Sequence, residues 1–232
     1  MNAIDPVRPE TESPKRQLIL DAATTLFTAQ GYGAVSMDAI ARSAGVSKAT
    51  LYAHFGSKDQ LFATIITEAC QAMFDWPGAM SADGEDLRTA LTALGQRILR
   101  FFLEDGTLAI YRVVVAESVR FPELGRAFYE AGPATGRRLL AAWLAERAEA
   151  GRLRVPDPPL AAEQLVALLR AGLYFRATLG VPPAPTQAEI DATVAAAVDT
   201  FLAAYAPPSA GSGFATAPTH LADAPGLGAR AP

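Results

Sequence analysis

The sequence predicts an all-α protein, on three observations. Apolar residues recur at helical spacing along most of the chain, strand-like alternation is nearly absent, and a serine opens each of the first four periodic runs, at Ser13, Ser36, Ser47 and Ser57. Half of the 232 residues are apolar, enough for a sizeable core in one large domain or two small ones.

The elements follow in order. Pro14 suits a first helical position, and Ile19, Ala22, Ala23, Leu26 and Phe27 then repeat on one face. Gly31 and Gly33, around Tyr32, end that helix. A short helix from about Met37 to Ala44 and another from Ser47 to His54 or Phe55 flank a turn at Gly45. Ser57 and Gln60 fit a capping box opening a longer helix that ends near Trp76-Pro77-Gly78. Five more segments read as helical, at 84–104, 107–120, 122–150, 159–180 and 187–205, which makes about nine helices. Gly132-Pro133 should break or kink the third of these. Residues 1–13 read as a flexible arm. Residues 206–232, rich in Pro, Gly, Ala and Ser, read as a disordered tail.

Several classes of function are poorly supported. One cysteine, Cys70, excludes an intrachain disulfide or a zinc cluster and reads as a small core residue. No stretch has the length and apolarity of a membrane helix, and the first thirteen residues lack the apolar run of a secretory signal; a cytoplasmic protein is expected. Of two histidines, His54 has no second ligand or paired carboxylate nearby and His220 falls in the tail. With no phosphate loop or nucleophile elbow either, neither an enzyme nor a cofactor is expected.

One segment carries information. Residues 36–55, SMDAIARSAGVSKATLYAHF, are two short helices joined by a glycine turn. Ile40 and Ala44 on the first can meet Val46, Leu51 and Phe55 on the second, and small Ala41 permits close approach, the logic of a helix-turn-helix. An ordinary helical hairpin has similar spacing. The outward residues separate the two: with Leu51 and Phe55 inside, Ser47, Lys48, Ala49, Thr50, Tyr52 and His54 lie outside or at the rim. Methyls and hydroxyls there suit base edges, and Tyr, His and Lys suit phosphates.

This run, with Gly31-Tyr32 before it and GSKDQLF after it, resembles the DNA-binding domain of TetR/AcrR-type bacterial regulators over about residues 14–62. The resemblance implies an all-helical homodimer with a three-helix reader at 14–57 and a ligand-sensing and dimerisation domain at 58–205. It implies that Ser47, Lys48, Ala49 and Thr50 approach bases while Ser36, Tyr52, His54 and Lys58 hold the DNA backbone. Residues 111–132, YRVVVAESVRFPELGRAFYEAG, resemble the sensor of the AefR-like branch, which implies a repressor of efflux or quorum-sensing-related genes.

In the sensor, aromatics spread over several helices can enclose a cavity for a small apolar or aromatic effector. Phe102, Tyr111, Phe128, Trp143, Arg170 and Tyr174 are the candidate lining, Arg170 standing one turn before Tyr174. Glu117 reads as a partner of Arg112 or Arg120. Two apolar stripes, one with Leu165, Leu169 and Leu173 and one with Ile190, Val194, Val198 and Phe201, together with Ala192, Ala195, Ala196 and Ala203, point to dimerisation through about residues 159–205. The helix from Lys58 to Asp75 would link sensor to reader. The function expected is an operator-binding repressor released by its effector. An activator, a ligand-independent regulator, or a helical ligand-binding protein without a DNA role stay open, the last opposed by the intact recognition face. The net charge of −4 does not speak against DNA, because residues 14–60 hold all three lysines and five basic against three acidic side chains.

Overall fold

The structure, a computed structural model, describes residues 13–74 and 86–207. The expected N-terminal arm, the helix end near Trp76-Pro77-Gly78 and all but the start of the expected tail, His220 included, lie outside the described residues. Among the described residues all regular structure is helical, and no helix there is long and apolar enough to cross a membrane.

Three helices open the chain, α1 (Pro14–Gln30), α2 (Met37–Ser43) and α3 (Lys48–His54), followed by the long α4 (Lys58–Phe74). Local chemistry sets their starts. Pro14 begins α1, although Ser13 makes no side-chain cap bond. The Ser36, Ser47 and Ser57 hydroxyls accept from the N–H groups of Ala39, Thr50 and Gln60 at 3.2, 3.0 and 3.1 Å, each satisfying a donor that a helix start leaves unpaired. The C-terminal part holds α5 (Leu87–Leu103), α6 (Asp105–Glu117), α7 (Pro122–Tyr129), α8 (Thr135–Glu149), α9 (Pro158–Leu169), α10 (Gly172–Thr178) and α11 (Gln187–Tyr205).

The eleven α-helices among the described residues correspond to nine expected segments, two of which divide. Pro133 does not end the helix at 122–150. It falls inside one π-turn, Glu130–Ala134, between α7 and α8. Proline has no N–H for the bond to the residue four before it and its ring crowds that carbonyl, so a widened turn absorbs both problems. The Thr135 hydroxyl donates to the Glu130 carbonyl at 3.0 Å. The segment at 159–180 divides where the backbone leaves the helix at Ala171, with ψ −153°.

Among the described residues two large cores hold the molecule, with a small third cluster of Leu108, Tyr174 and Ala177 beside them. The first contains Ile19, Phe27, Tyr32, Ile40, Leu51 and Phe62, and runs on into Ile110, Val114 and Leu124 of α6 and α7. Packing therefore does not stop at residue 57: the first three helices share one interior with α4, α6 and α7. The second core joins α5, α8, α9 and α11 through Leu91, Leu99, Leu144, Leu165, Val194 and Phe201. The leucine stripe of α9 and the Ile190 to Phe201 stripe of α11 point into it. What α11 leaves outside is the small-residue face of Ala192, Ala195, Ala196 and Ala203.

At the centre of the first core Phe27, Tyr32 and Phe62 stack with ring centroids 5.3 to 5.7 Å apart. Phe62 is fully buried, so Phe62→Ala should cost about 3–5 kcal/mol of stability, read as a lowered midpoint in urea unfolding followed by circular dichroism.

Candidate nucleic-acid interface and ligand cavity

Between α2 and α3 the chain turns through Ala44, Gly45 and Val46. Gly45 has φ +66°, and no atom lies within 4 Å of where a Cβ would stand. It is the left-handed backbone, not crowding, that favours glycine here. Ile40, Ala41 and Ala44 of the first helix meet Leu51 and Phe55 in the interior. This fixes which side of α3 faces out. Ser36, Ser47, Lys48, Ala49, Tyr52 and His54 are exposed and Thr50 is partly so; Tyr52, a large ring with half its surface in solvent (51%), stands on an otherwise small-residue face. Ser47 and Thr50 share a hydroxyl–hydroxyl hydrogen bond of 2.8 Å. Lys48 pairs with Asp38 at 2.5 Å with both side chains exposed, a contact worth about 1 kcal/mol or less and readily exchanged for a phosphate.

Lys58 differs from the expectation of a backbone-contacting lysine. Its ammonium turns inward, donates to the carbonyls of Tyr32 and Val35 at 2.9 and 3.0 Å, and sits 4.2 Å from the Tyr32 ring centre. Partial burial lowers its pKa, against the pull of Asp59, Glu117 and Glu123. Beside it the Tyr32 hydroxyl donates to Asp59, and burial first, then that carboxylate, pushes the phenol far up from its ordinary value.

Glu117 also departs from its expected place. It pairs with neither Arg112 nor Arg120. At the end of α6 its carboxylate accepts from the backbone N–H of Tyr32 at 2.8 Å and of Gly33 at 2.6 Å. Gly31 (φ +81°) and Gly33 make the room: a Cβ on Gly31 would fall 2.3 Å from Glu117 Oε1, and one on Gly33 would fall 2.7 Å from the Phe121 ring. Phe121 in turn packs edge-on to Tyr32, 5.7 Å between centres. The available signal was the pair of glycines around Tyr32, which leaves amides in need of an acceptor.

A cavity of about 1650 Å³ lies among α4, α5, α6, the π-turn, α8, α9 and α10. Phe102, Tyr111, Phe128, Arg170 and Tyr174 line it together with Ile66, Cys70 and Met73 of α4. Cys70 is buried and its thiol pKa is raised by that burial. Gly132 in the π-turn lets α4 come close, since a Cβ there would meet Ile66 at 3.1 Å and Cys70 Sγ at 3.7 Å. Trp143 is a correction: it belongs to the second core, 6% exposed, with the buried Arg147 guanidinium 3.8 Å from its ring centre. Only the first residues of α8, Gly136 and Arg137, reach the cavity; Trp143 lies about two turns further along the helix, where it packs into the second core.

Known families cover both parts of the chain. Residues 19–65 match the family described as bacterial regulatory proteins, tetR family, and residues 89–207 match the AefR-like transcriptional repressor, C-terminal domain. The chain is 32% identical over 191 residues to the HTH-type transcriptional regulator BetI of Rhizobium meliloti (strain 1021), covering 78% of this chain and 87% of BetI. It is 44% identical over 59 residues to the regulator YhgD of Bacillus subtilis (strain 168), 25% of this chain, and spans only 31% of YhgD's length. Among solved structures, the flavonoid-responsive regulator FrrA superposes with a TM-score of 0.70 at 40% identity, covering 84% of this chain and 98% of FrrA.

Replacing Lys58 by Met should leave the Tyr32 and Val35 carbonyls without their donor. The expected outcome is a loss of about 1–3 kcal/mol in urea unfolding, with the salt dependence of any nucleic-acid binding unchanged.

Proposed function

Because the chain belongs to the TetR family of bacterial regulatory proteins, we propose that it acts in the cytoplasm as a homodimeric operator-binding repressor that a small effector releases. The observation that carries the reading is the exposed face of α3. Interior packing uses Leu51 and Phe55 and leaves Ser47, Lys48, Ala49, Thr50, Tyr52 and His54 turned outward, a set suited to a major groove. Ser36 adds the start of α2, whose backbone amides favour a phosphate. In functional terms residues 14–57 are the reader and 58–205 the sensor, even though they share a core.

The outward faces of α9 and α11 support dimerisation through residues 159–205. Leu160 on α9 and Ala192, Ala195, Ala196 and Ala203 on α11 are exposed in the single chain, and small residues let helices of two copies approach closely. Twofold symmetry would then set two α3 helices about 34 Å apart, one turn of DNA, or a multiple of it.

The effector is proposed to occupy the cavity and favour a state with the two readers spaced for something other than DNA. Its aromatic lining, and the likeness to a regulator named flavonoid-responsive, support an aromatic molecule. Coupling of about 1–3 kcal/mol would weaken operator affinity some five- to 150-fold. The link is α6 as well as α4: Tyr111 of α6 lines the cavity and Glu117 of the same helix holds the reader. Repression is the sign attached to the AefR-like family that residues 89–207 match.

Footprinting on the intergenic DNA beside the gene tests the reading. A protected site of twofold symmetry is expected, and no protection of any flanking sequence would refute it. Tyr52→Ala should abolish that protection while helicity and dimer persist. Lys48→Ala should weaken binding to all sequences about equally and lower the slope of log affinity against log salt by about one.

A further inference from the structure

We infer that the cavity takes an aromatic molecule bearing a carboxylate, with Arg170 as its anchor. The inference rests on the reading of this cavity as the effector site. Arg170 caps the end of α9, and its guanidinium carbon lies 4.2 Å from the ring centre of Tyr174, 5.2 Å from that of Phe102 and 5.6 Å from that of Tyr111. The three rings touch one another as well, Tyr174 lying 5.7 Å from Phe102 and 6.0 Å from Tyr111. All four side chains line the cavity.

What distinguishes Arg170 is its set of partners. The cavity wall carries five arginines and two glutamates, so its charge is positive on balance. Arg137 is paired with Glu163 at 2.5 Å. Arg112 donates to the carbonyls of Ala177 and Thr178 at 2.7 and 2.8 Å, Arg97 donates to those of Ala72 and Met73, and Arg100 is exposed to solvent. Arg170 is half-buried and, among the described residues, has aromatic faces, the hydroxyl of Tyr174 as a hydrogen-bond acceptor, and no carboxylate around it.

A guanidinium drawn out of water recovers part of its hydration from ring faces, yet its N–H donors lie in its own plane and point past those faces. A planar carboxylate matches that fork with two parallel charge-assisted hydrogen bonds. The same rings would then stack on the aromatic body of the guest, and Phe128, 6.0 Å from Tyr111, extends the wall. Burial raises the pKa of the Tyr174 phenol, against the opposing pull of the Arg170 charge and of hydrogen bonds with Thr178 and Arg170.

The test uses the full chain and three probes. Nile red, neutral and aromatic, reports by fluorescence whether the cavity admits a guest. Naphthalene carboxylate and the isosteric neutral naphthalene carboxamide then compete for it. The carboxylate is expected to displace Nile red at about tenfold lower concentration than the amide, and Arg170→Met should bring the two within about twofold. Arg170→Lys, which keeps the charge without the fork, should fall between. Equal displacement from the native protein, which requires no variant to fold, or a preference that survives Arg170→Met, would overturn the anchor while leaving the cavity as effector site. Failure of Nile red to enter would overturn both.

Discussion

The Glu117 carboxylate against the backbone of Tyr32 and Gly33 is the constraint on which the arrangement of the molecule depends. The loop after α1 carries backbone N–H groups that no helix satisfies. Here two of them are satisfied by a single acid from the end of α6. Around that contact the other features follow. Gly31 and Gly33 lack side chains where a Cβ would strike Glu117 or Phe121. Phe121, just before α7, and Lys58, at the start of α4, close over the Tyr32 ring, and Asp59 accepts a hydrogen bond from the Tyr32 hydroxyl. Charge-assisted hydrogen bonds are among the stronger polar contacts available to a protein. This one joins the loop after α1 to the end of α6, so the relative position of the two is held at one defined point within a shared apolar interior.

That location gives the cavity a route to the reader. Tyr111 stands in the cavity wall and Glu117 grips the loop at the end of the same helix, about 9 Å away along the axis. A guest that shifts α6 therefore shifts the acceptor of the Tyr32 and Gly33 amides, and α3 moves with the core it shares. α4 supplies a second contact, since Ile66 and Cys70 touch both the cavity and the π-turn while Lys58 at its start reaches the loop. The π-turn belongs to the same mechanical unit: Pro133 widens the helix there and Gly132 brings it against α4.

The reader was legible in the sequence because its determinants are local. Capping serines sit three residues before the amides they satisfy, Gly45 marks a left-handed turn, and helical period alone separates Leu51 and Phe55 from the exposed Tyr52. Arg170 and Tyr174 were legible for a similar reason, being four residues apart and neighbours in space even across the break at Ala171. The rest was set by tertiary contact. Glu117 lies 85 residues from Tyr32, and nothing near it in the sequence says that its partner is a backbone loop and not an arginine. Lys58 reads as a surface lysine until two carbonyls and a ring face draw it inward. Trp143 reads as a cavity aromatic, but only the first residues of α8 reach the cavity. The buried leucines of α9 and the apolar stripe of α11 pack within their own chain, and Leu160 with the alanines of α11 stays exposed.

The most direct measurement of this account is the operator affinity of Glu117→Gln beside that of the native dimer, at equal salt and with helicity shown to be equal. Glutamine keeps the length of the side chain and removes its charge, leaving α3 and its exposed residues untouched. If the Glu117 contact holds the readers in their DNA-binding position, affinity should fall about five- to 150-fold, the range of a coupling free energy of about 1–3 kcal/mol. An affinity equal to that of the native protein would contradict it.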